Sequence, residues 1–317
     1  MRLPNVLQSR IEELSASIKQ ADLRRAAQSL SDGYRRDAAP PPIHTEAERI
    51  AYLLVRMPAT FTAVRTALSI AVESLPGWQP KSAIDLGAGP GTGLWAAMDV
   101  LESLDSLEAI EREASLAEIG TKLTKTLSHP VEWKVSDLKG WRPARKYDLI
   151  LVSYSAGELP AEARARLITT AWDACSGALI LVEPGTRRGF DVVDRARDQL
   201  IMMGASIAAP CPHSLACPMK KAGDWCHFSA RVERTAEHRR LKQGELGYED
   251  EKFSYVVASR MVPQPAAGRI VRHPQRLSGH VKLQLCTQDG LKERTVTRSQ
   301  KEQYRAVKRA DWGSAWD

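Results

Sequence analysis

Near the start of the chain, apolar residues fall at helical spacing. Leu7, Ile11, Leu14 and Ile18 form the stripe, and Leu23, Ala27 and Leu30 continue it less regularly. That period predicts an amphipathic helix over residues 5–31. The run Asp37–Pro42 (DAAPPP) cannot be helical and predicts a linker or turn. Thr45 is placed to cap a second helix that runs to Met57 and stops at Pro58. A third helix follows over residues 60–75. This helical region, residues 1–80, reads as a cap on a larger domain.

From Ser82 the period changes. Short apolar runs at 83–86, 106–110, 131–135, 147–153 and 178–182 alternate with helical patterns near 92–101, 115–126 and 161–174. Strand and helix in strict alternation predict an open parallel α/β sheet over residues 81–205. Its ligand crevice belongs at the carboxyl ends of the strands, near the first. After Gly185 the pattern weakens. A cysteine-rich segment spans 210–227, strands are expected at 253–260 and 280–286, and a basic helical tail closes the chain. Residues 206–317 read as a separate C-terminal region.

Composition narrows the class. The chain has 317 residues, is 43% hydrophobic and carries a formal charge of +7, which excludes disordered and collagen-like classes. The sequence holds no uncharged apolar run long enough to span a bilayer, and its first residues hold no apolar signal core and carry Glu12 and Glu13 early. The expectation is a cytoplasmic protein, monomeric when free and with no membrane partner. The charge is uneven. Residues 269–309 hold 11 Lys/Arg against 3 Asp/Glu, a net of +8, leaving the rest near neutral. A basic block on a neutral body points to a polyanion partner such as nucleic acid.

The chemistry concentrates in two places. The first is Asp85-Leu86-Gly87-Ala88-Gly89-Pro90-Gly91, which leaves the first strand and opens a helix. Glycines allow a tight turn and a close backbone approach to a ligand. Glu111 ends the second strand, where an acid can accept both ribose hydroxyls. Asp137 follows the third, where an acid can receive an adenine amino group. The spacing is not that of a triphosphate-binding loop. This motif resembles S-adenosylmethionine-dependent methyltransferases of the Rossmann-like class. The resemblance implies a cofactor site on Asp85, Gly87, Ala88, Gly89, Gly91, Glu111, Asp137 and Ser153. The fourth strand ends Ser153-Tyr154-Ser155-Ala156-Gly157-Glu158-Leu159, without the Asn/Asp-Pro-Pro-Tyr/Phe motif of amino-methylating nucleic-acid enzymes and without an attacking cysteine beside a proline. No catalytic residue is assigned; Tyr154 and Glu158 are candidates to line the methyl pocket.

The second place is the cysteines. Cys211, Cys217 and Cys226 lie in one segment and Cys286 stands 60 residues further on. Four thiolates fit a tetrahedral zinc site or a [4Fe–4S] cluster, and the spacing leaves both open. His213 and His227 are substitute zinc ligands or surface histidines. Cys175 reads as a core residue.

Several segments together reach beyond the superfamily: 52–60 (YLLVRMPAT), 153–159 (SYSAGEL), Glu183-Pro184-Gly185-Thr186, the Cys-Pro-His to Asp-Trp-Cys-His-Phe segment, 249–255 (EDEKFSY) and 269–286. The chain resembles the methyltransferase-like family whose mitochondrial members assemble the small ribosomal subunit. That resemblance implies a [4Fe–4S] cluster on Cys211, Cys217, Cys226 and Cys286, an S-adenosylmethionine fold, and binding to small-subunit ribosomal RNA. A bacterial cytoplasmic member is expected ahead of a mitochondrial matrix one. Three readings follow, a ribosomal RNA methyltransferase, a non-catalytic iron–sulfur assembly factor, or an enzyme that methylates a ribosomal protein.

Overall fold

The computed structural model describes residues 1–35, 43–242 and 245–316; the linker expected at Asp37–Pro42 lies outside them. The first amphipathic stripe makes two helices instead of one, α1 (Asn5–Ser15) and α2 (Gln20–Arg35). The break has a local cause. Ser15 and Ser17 donate their hydroxyls to the carbonyls of Glu12 and Leu14, and such bonds compete with the helical ladder. Thr45 caps α3 (Glu46–Val55) as expected, in a reciprocal box: Glu48 N donates to Thr45 Oγ1 at 3.2 Å and Thr45 N to Glu48 Oε2 at 2.9 Å. Pro58 does not stop a helix. It sits in the first turn of α4 (Met57–Ser74), where its missing N–H has no helical partner to lose.

The alternating region follows the expected order: β1 (Ser82–Leu86), α5 (Thr92–Val100), β2 (Ser106–Glu111), α6 (Ala114–Thr124), β3 (Val131–Val135), β4 (Tyr147–Ser153), α7 (Ala161–Ala174) and β5 (Cys175–Pro184). Regular structure continues past Gly185 with α8 (Arg187–Met202), β6 (Ser206–Ala209), α9 (Pro218–Lys221), β7 (Phe228–Glu233), α10 (Ala236–Lys242) and β8 (Tyr248–Ser259). The main sheet runs β3-β2-β1-β4-β5-β8-β6, with β7 also on β8. Strands β1 to β5 are parallel; β8 is antiparallel to both β5 and β6. This is an α/β Rossmann-like methyltransferase fold. Strand order reverses between β1 and β4, which opens the crevice at their carboxyl ends.

Each face of the sheet carries its own core. Ala83, Leu149, Ile180 and Val182 pack against α3, α4 and α5, while Ile84, Ile150, Leu179 and Leu181 pack against α7 and α8. Burial on both faces explains the unbroken apolar run in β5.

A second, smaller sheet holds the basic block. It contains β9 (Gly268–Ile270), β10 (Gln275–Leu277), β11 (His280–Thr287), β12 (Gly290–Thr297) and β13 (Ala315–Trp316), in the order β10-β11-β9-β13 with β12 on β11. The tail expected to be helical is first the β12 hairpin strand and only then α11 (Lys301–Arg309). Gly290, at φ +105°, closes the β11–β12 turn. Val281, Leu283, Leu285 and Val296 face Val307 of α11. Cys286 breaks the alternation of β11 and buries on the other side, against Met219 and Val271.

Candidate cofactor crevice and cysteine cavity

The glycine loop leaves β1 in left-handed backbone at Gly87, Gly89 and Gly91 (φ +79°, +54° and +86°), conformations that cost other residues about 1–2 kcal/mol each. At Gly87 a side chain is excluded twice over, because a Cβ there would fall inside contact of Ser155 Cβ and 2.9 Å from its Oγ. Ser155 Oγ in turn donates to the Leu86 carbonyl at 2.7 Å. The loop is thus wedged against the turn after β4. Ile110 accepts from Gly87 N and Ala88 N at 2.9 and 3.0 Å.

Glu111 is buried at the end of β2, and its carboxylate grips this chain's own backbone. Oε2 accepts from Gly89 N and Oε1 from Glu113 N, both at 2.8 Å. Asp85 is fully buried, and both its oxygens are without a hydrogen-bond partner. Burial, aided by the nearby Glu111 charge, raises its pKa to about 7; the Gly93 and Leu94 amides at the start of α5 oppose the shift. Asp137 stays exposed and caps a 3-10 turn, Oδ1 accepting from Lys139 N at 2.8 Å. Ser153 is buried at the end of β4. So Asp85, the glycines and Glu111 form one contact group, and Asp137 stands on the rim.

Sequence reasoning left Tyr154 and Glu158 undecided. Tyr154 lies in left-handed backbone (φ +56°), the sort of strain that persists only where surrounding contacts enforce it. Its hydroxyl donates to Glu251 Oε1 at 3.1 Å, and Arg56 pairs with the same oxygen at 3.2 Å. Burial and the Glu251 charge hold the phenol well above its ordinary pKa, so Tyr154 is a neutral donor, unsuited to act as a base. Glu158 pairs with Arg112 at 3.5 Å, and burial raises its pKa. Glu183, at the end of β5, is buried, accepts from Gly157 N at 2.9 Å and is raised to about 7 by burial. No sequence signal marked the partnership of Tyr154 with Arg56 and Glu251.

The four expected ligands face one apolar cavity. Cys211, Cys217, Cys226 and Cys286 line it, together with Arg197, Arg269 and Met219. Among the described residues, however, no three His, Cys, Asp or Glu side chains form a group able to hold a metal ion. Convergence of the thiols is present; a closed ligand set, as expected of a metal-stapled extension, is not. Burial raises the pKa of all four, and for Cys226 and Cys286 the neighbouring thiols add to the rise, which takes Cys286 to about 12. Two buried cations oppose it. Arg197 donates to the carbonyls of His213 and Leu215, and Arg269 to those of Pro210 and Gly313. Arg197 and Asp194 interrupt the apolar stripe Phe190-Val193-Leu200 of α8, a signal that could have found them. His213 Nε2 lies 3.8 Å from Cys286 Sγ. His227 is buried between Trp225 and Trp312, not at the surface. Cys175 is a core residue at the start of β5, its thiol raised to about 12 by burial.

Sheet order and glycine loop together define a methyltransferase-like protein. Residues 46–317 match the family model described as mitochondrial small ribosomal subunit Rsm22, and the chain belongs to that family. It is 29% identical over 292 residues to the human ribosome assembly protein METTL17, mitochondrial, across 85% of this chain and 62% of that protein. It is 26% identical over 330 residues to the Schizosaccharomyces pombe Rsm22-cox11 tandem protein 2, mitochondrial, across 85% of this chain and 43% of that protein. The chain therefore spans less than two thirds of these relatives. Among solved structures, magnesium protoporphyrin IX methyltransferase from Synechocystis with bound SAM aligns at 14% identity and TM-score 0.41, over 78% of this chain and 99% of that one. No helix among the described residues is long and apolar enough to cross a membrane.

Proposed function

We propose that this protein is an S-adenosylmethionine-dependent methyltransferase acting on small-subunit ribosomal RNA during ribosome assembly. One observation carries the cofactor reading: the buried, unpartnered Asp85 beneath a left-handed glycine loop whose next support is Glu111. A fully buried carboxyl without partners costs several kcal/mol unless a ligand or proton satisfies it. In this reading Gly87, Ala88, Gly89 and Gly91 cradle the methionine end, Asp85 supports the loop, Glu111 exchanges its backbone partners for the ribose, and Asp137 meets the adenine. Ser153 closes the floor. The bound cofactor supplies an electrophilic methyl group. Tyr154 orients and donates hydrogen bonds, and takes no proton. The family membership and the basic C-terminal sheet support the RNA partner.

Cys211, Cys217, Cys226 and Cys286 are the residues that would hold a [4Fe–4S] cluster, with zinc as the alternative. Four thiols, that of Cys286 buried and the other three half-buried, are a soft, sulfur-only donor set, which selects such groups over hard cations. The group would tie β11 to the α8–β7 segment, making its binding energy part of folding.

A second reading has its own support. Both oxygens of Glu111 are already satisfied by backbone amides, and the turn after β4 lacks the Asn/Asp-Pro-Pro-Tyr/Phe motif of amino-methylating nucleic-acid enzymes, which favours a non-catalytic assembly factor. Calorimetric titration with S-adenosylmethionine tests the first reading. The first reading expects saturable binding by the wild-type chain and none by Gly87→Arg of unchanged circular dichroism; no binding by the wild type contradicts it.

A further inference from the structure

The cysteine segment carries a second feature to the mouth of the crevice. Trp225 Nε1 donates to the Gly185 carbonyl at 3.0 Å, one residue past β5, so the segment folds over the carboxyl end of the sheet. His227 stacks on Trp225 with ring centres 5.3 Å apart and planes 19° apart. Trp312, from the C-terminal sheet, meets His227 at 4.6 Å and His273 at 4.8 Å, both at steep angles. The four rings therefore form one continuous cluster across the seam between the two sheets.

Cations frame it. The Arg187 guanidinium lies 5.3 Å from the Trp225 ring centre and that of Arg272 5.8 Å from Trp312. Arg188, beside Arg187, reaches the Gly157 carbonyl in the crevice at 3.1 Å. Asp224 pairs with Arg272, and Asp311 lies 3.4 Å from His273. Trp225 and Trp312 are partly exposed, Arg187 is exposed, and the His273 side chain is 64% exposed.

Aromatic faces interleaved with guanidinium groups are the chemistry that binds unpaired bases next to their phosphates. A duplex keeps its bases inside its own stack and cannot use such rings. We infer that Trp225, His273 and Trp312, braced by the buried His227 and framed by Arg187 and Arg272, form a stacking site for a single-stranded RNA segment between the crevice and the basic C-terminal sheet. This inference rests on the ribosomal RNA reading above and goes beyond it, since it names the strandedness of the RNA and the residues that select it.

The test is fluorescence anisotropy with the full chain and two labelled probes, an oligouridylate single strand and an RNA hairpin duplex of equal length. Trp225→Ala weakens single-strand binding about tenfold, the scale of one lost base stack, and changes duplex binding less than about twofold. Trp225→Phe keeps a ring and restores most of the affinity. His273→Ala, at a side chain that is 64% exposed, weakens single-strand binding in the same selective way. Variants that bind the single strand as tightly as wild type overturn the inference, as does equal loss on both probes. A wild-type chain that binds neither RNA overturns the ribosomal RNA reading itself; wild-type binding with insensitive aromatic variants overturns only the stacking site.

Discussion

Gly87→Ala tests the wedge on which the cofactor crevice is built. Two penalties coincide at this residue. Its φ of +79° costs any residue with a Cβ about 1–2 kcal/mol. The new methyl would also overlap Ser155 Cβ, an atom fixed to the backbone and unable to rotate away. Overpacking of this kind costs about 1–3 kcal/mol. The sum is a loss of about 2–5 kcal/mol. Gly89→Ala is the internal control, because φ is +54° but nothing lies within 4 Å of the added Cβ. It should lose only the backbone share, about 1–2 kcal/mol. Urea denaturation of both variants, followed by circular dichroism, measures the difference. A double-mutant cycle with Ser155→Gly isolates the overlap. That change alone removes the hydrogen bond to Leu86, worth about 1 kcal/mol, but in the Gly87→Ala background it should recover the steric share. Equal losses for Gly87→Ala and Gly89→Ala, or no coupling with Ser155→Gly, would refute the wedge.

Other outcomes follow from the same geometry. Asp85 is raised to about 7 in the fold, so between about pH 4 and 7 the folded protein keeps a proton that the unfolded chain has released, and stability falls as pH rises through that window. Asp85→Asn should flatten the fall by at most about 4 kcal/mol between pH 4 and 8, read by denaturation at each pH; an unchanged slope counts against a buried protonated Asp85. Tyr154→Phe should cost about 1 kcal/mol by losing the bond to Glu251 while the Arg56–Glu251 pair stays; a loss no greater than the error of a urea melt contradicts the network. Cys286→Ser should lower the iron content of anaerobically purified protein and speed proteolysis of residues 268–316, whereas Cys175→Ser should leave iron unchanged; equal iron in both variants removes Cys286 from the ligand set.

Much of the main sheet was legible because its strands are local and apolar. The runs at 83–86, 106–110 and 147–153 need no distant partner to be recognised, and the glycine loop between β1 and α5 announces the crevice. What failed to show depends on contacts remote in sequence. Ser15 and Ser17 break the first helix by bonds too local to alter the hydrophobic period. Pro58 reads as a stop until the position of α3 makes it a start. α8 carries Asp194 and Arg197 on its inner face, and their partners come only from the cysteine segment, Lys220 for Asp194 and the His213 and Leu215 carbonyls for Arg197. Tyr154 looks like any strand-end tyrosine; its left-handed backbone is enforced by Glu251 and Arg56, 97 and 98 residues away. The aromatic cluster joins Trp225 to Trp312 across two sheets, and neither residue carries a local signal of the other.

Methyl transfer to small-subunit ribosomal RNA would be read in a mass-spectrometric map of that RNA. The comparison is a strain lacking the gene against its parent, complemented with the wild-type gene or with Gly87→Arg. Loss of one methyl mark in the deletion, restored by the wild type and not by Gly87→Arg, is the predicted result. An unchanged map in the deletion strain, with small-subunit precursors accumulating, contradicts methyl transfer to this RNA and leaves a non-catalytic assembly factor or a protein substrate.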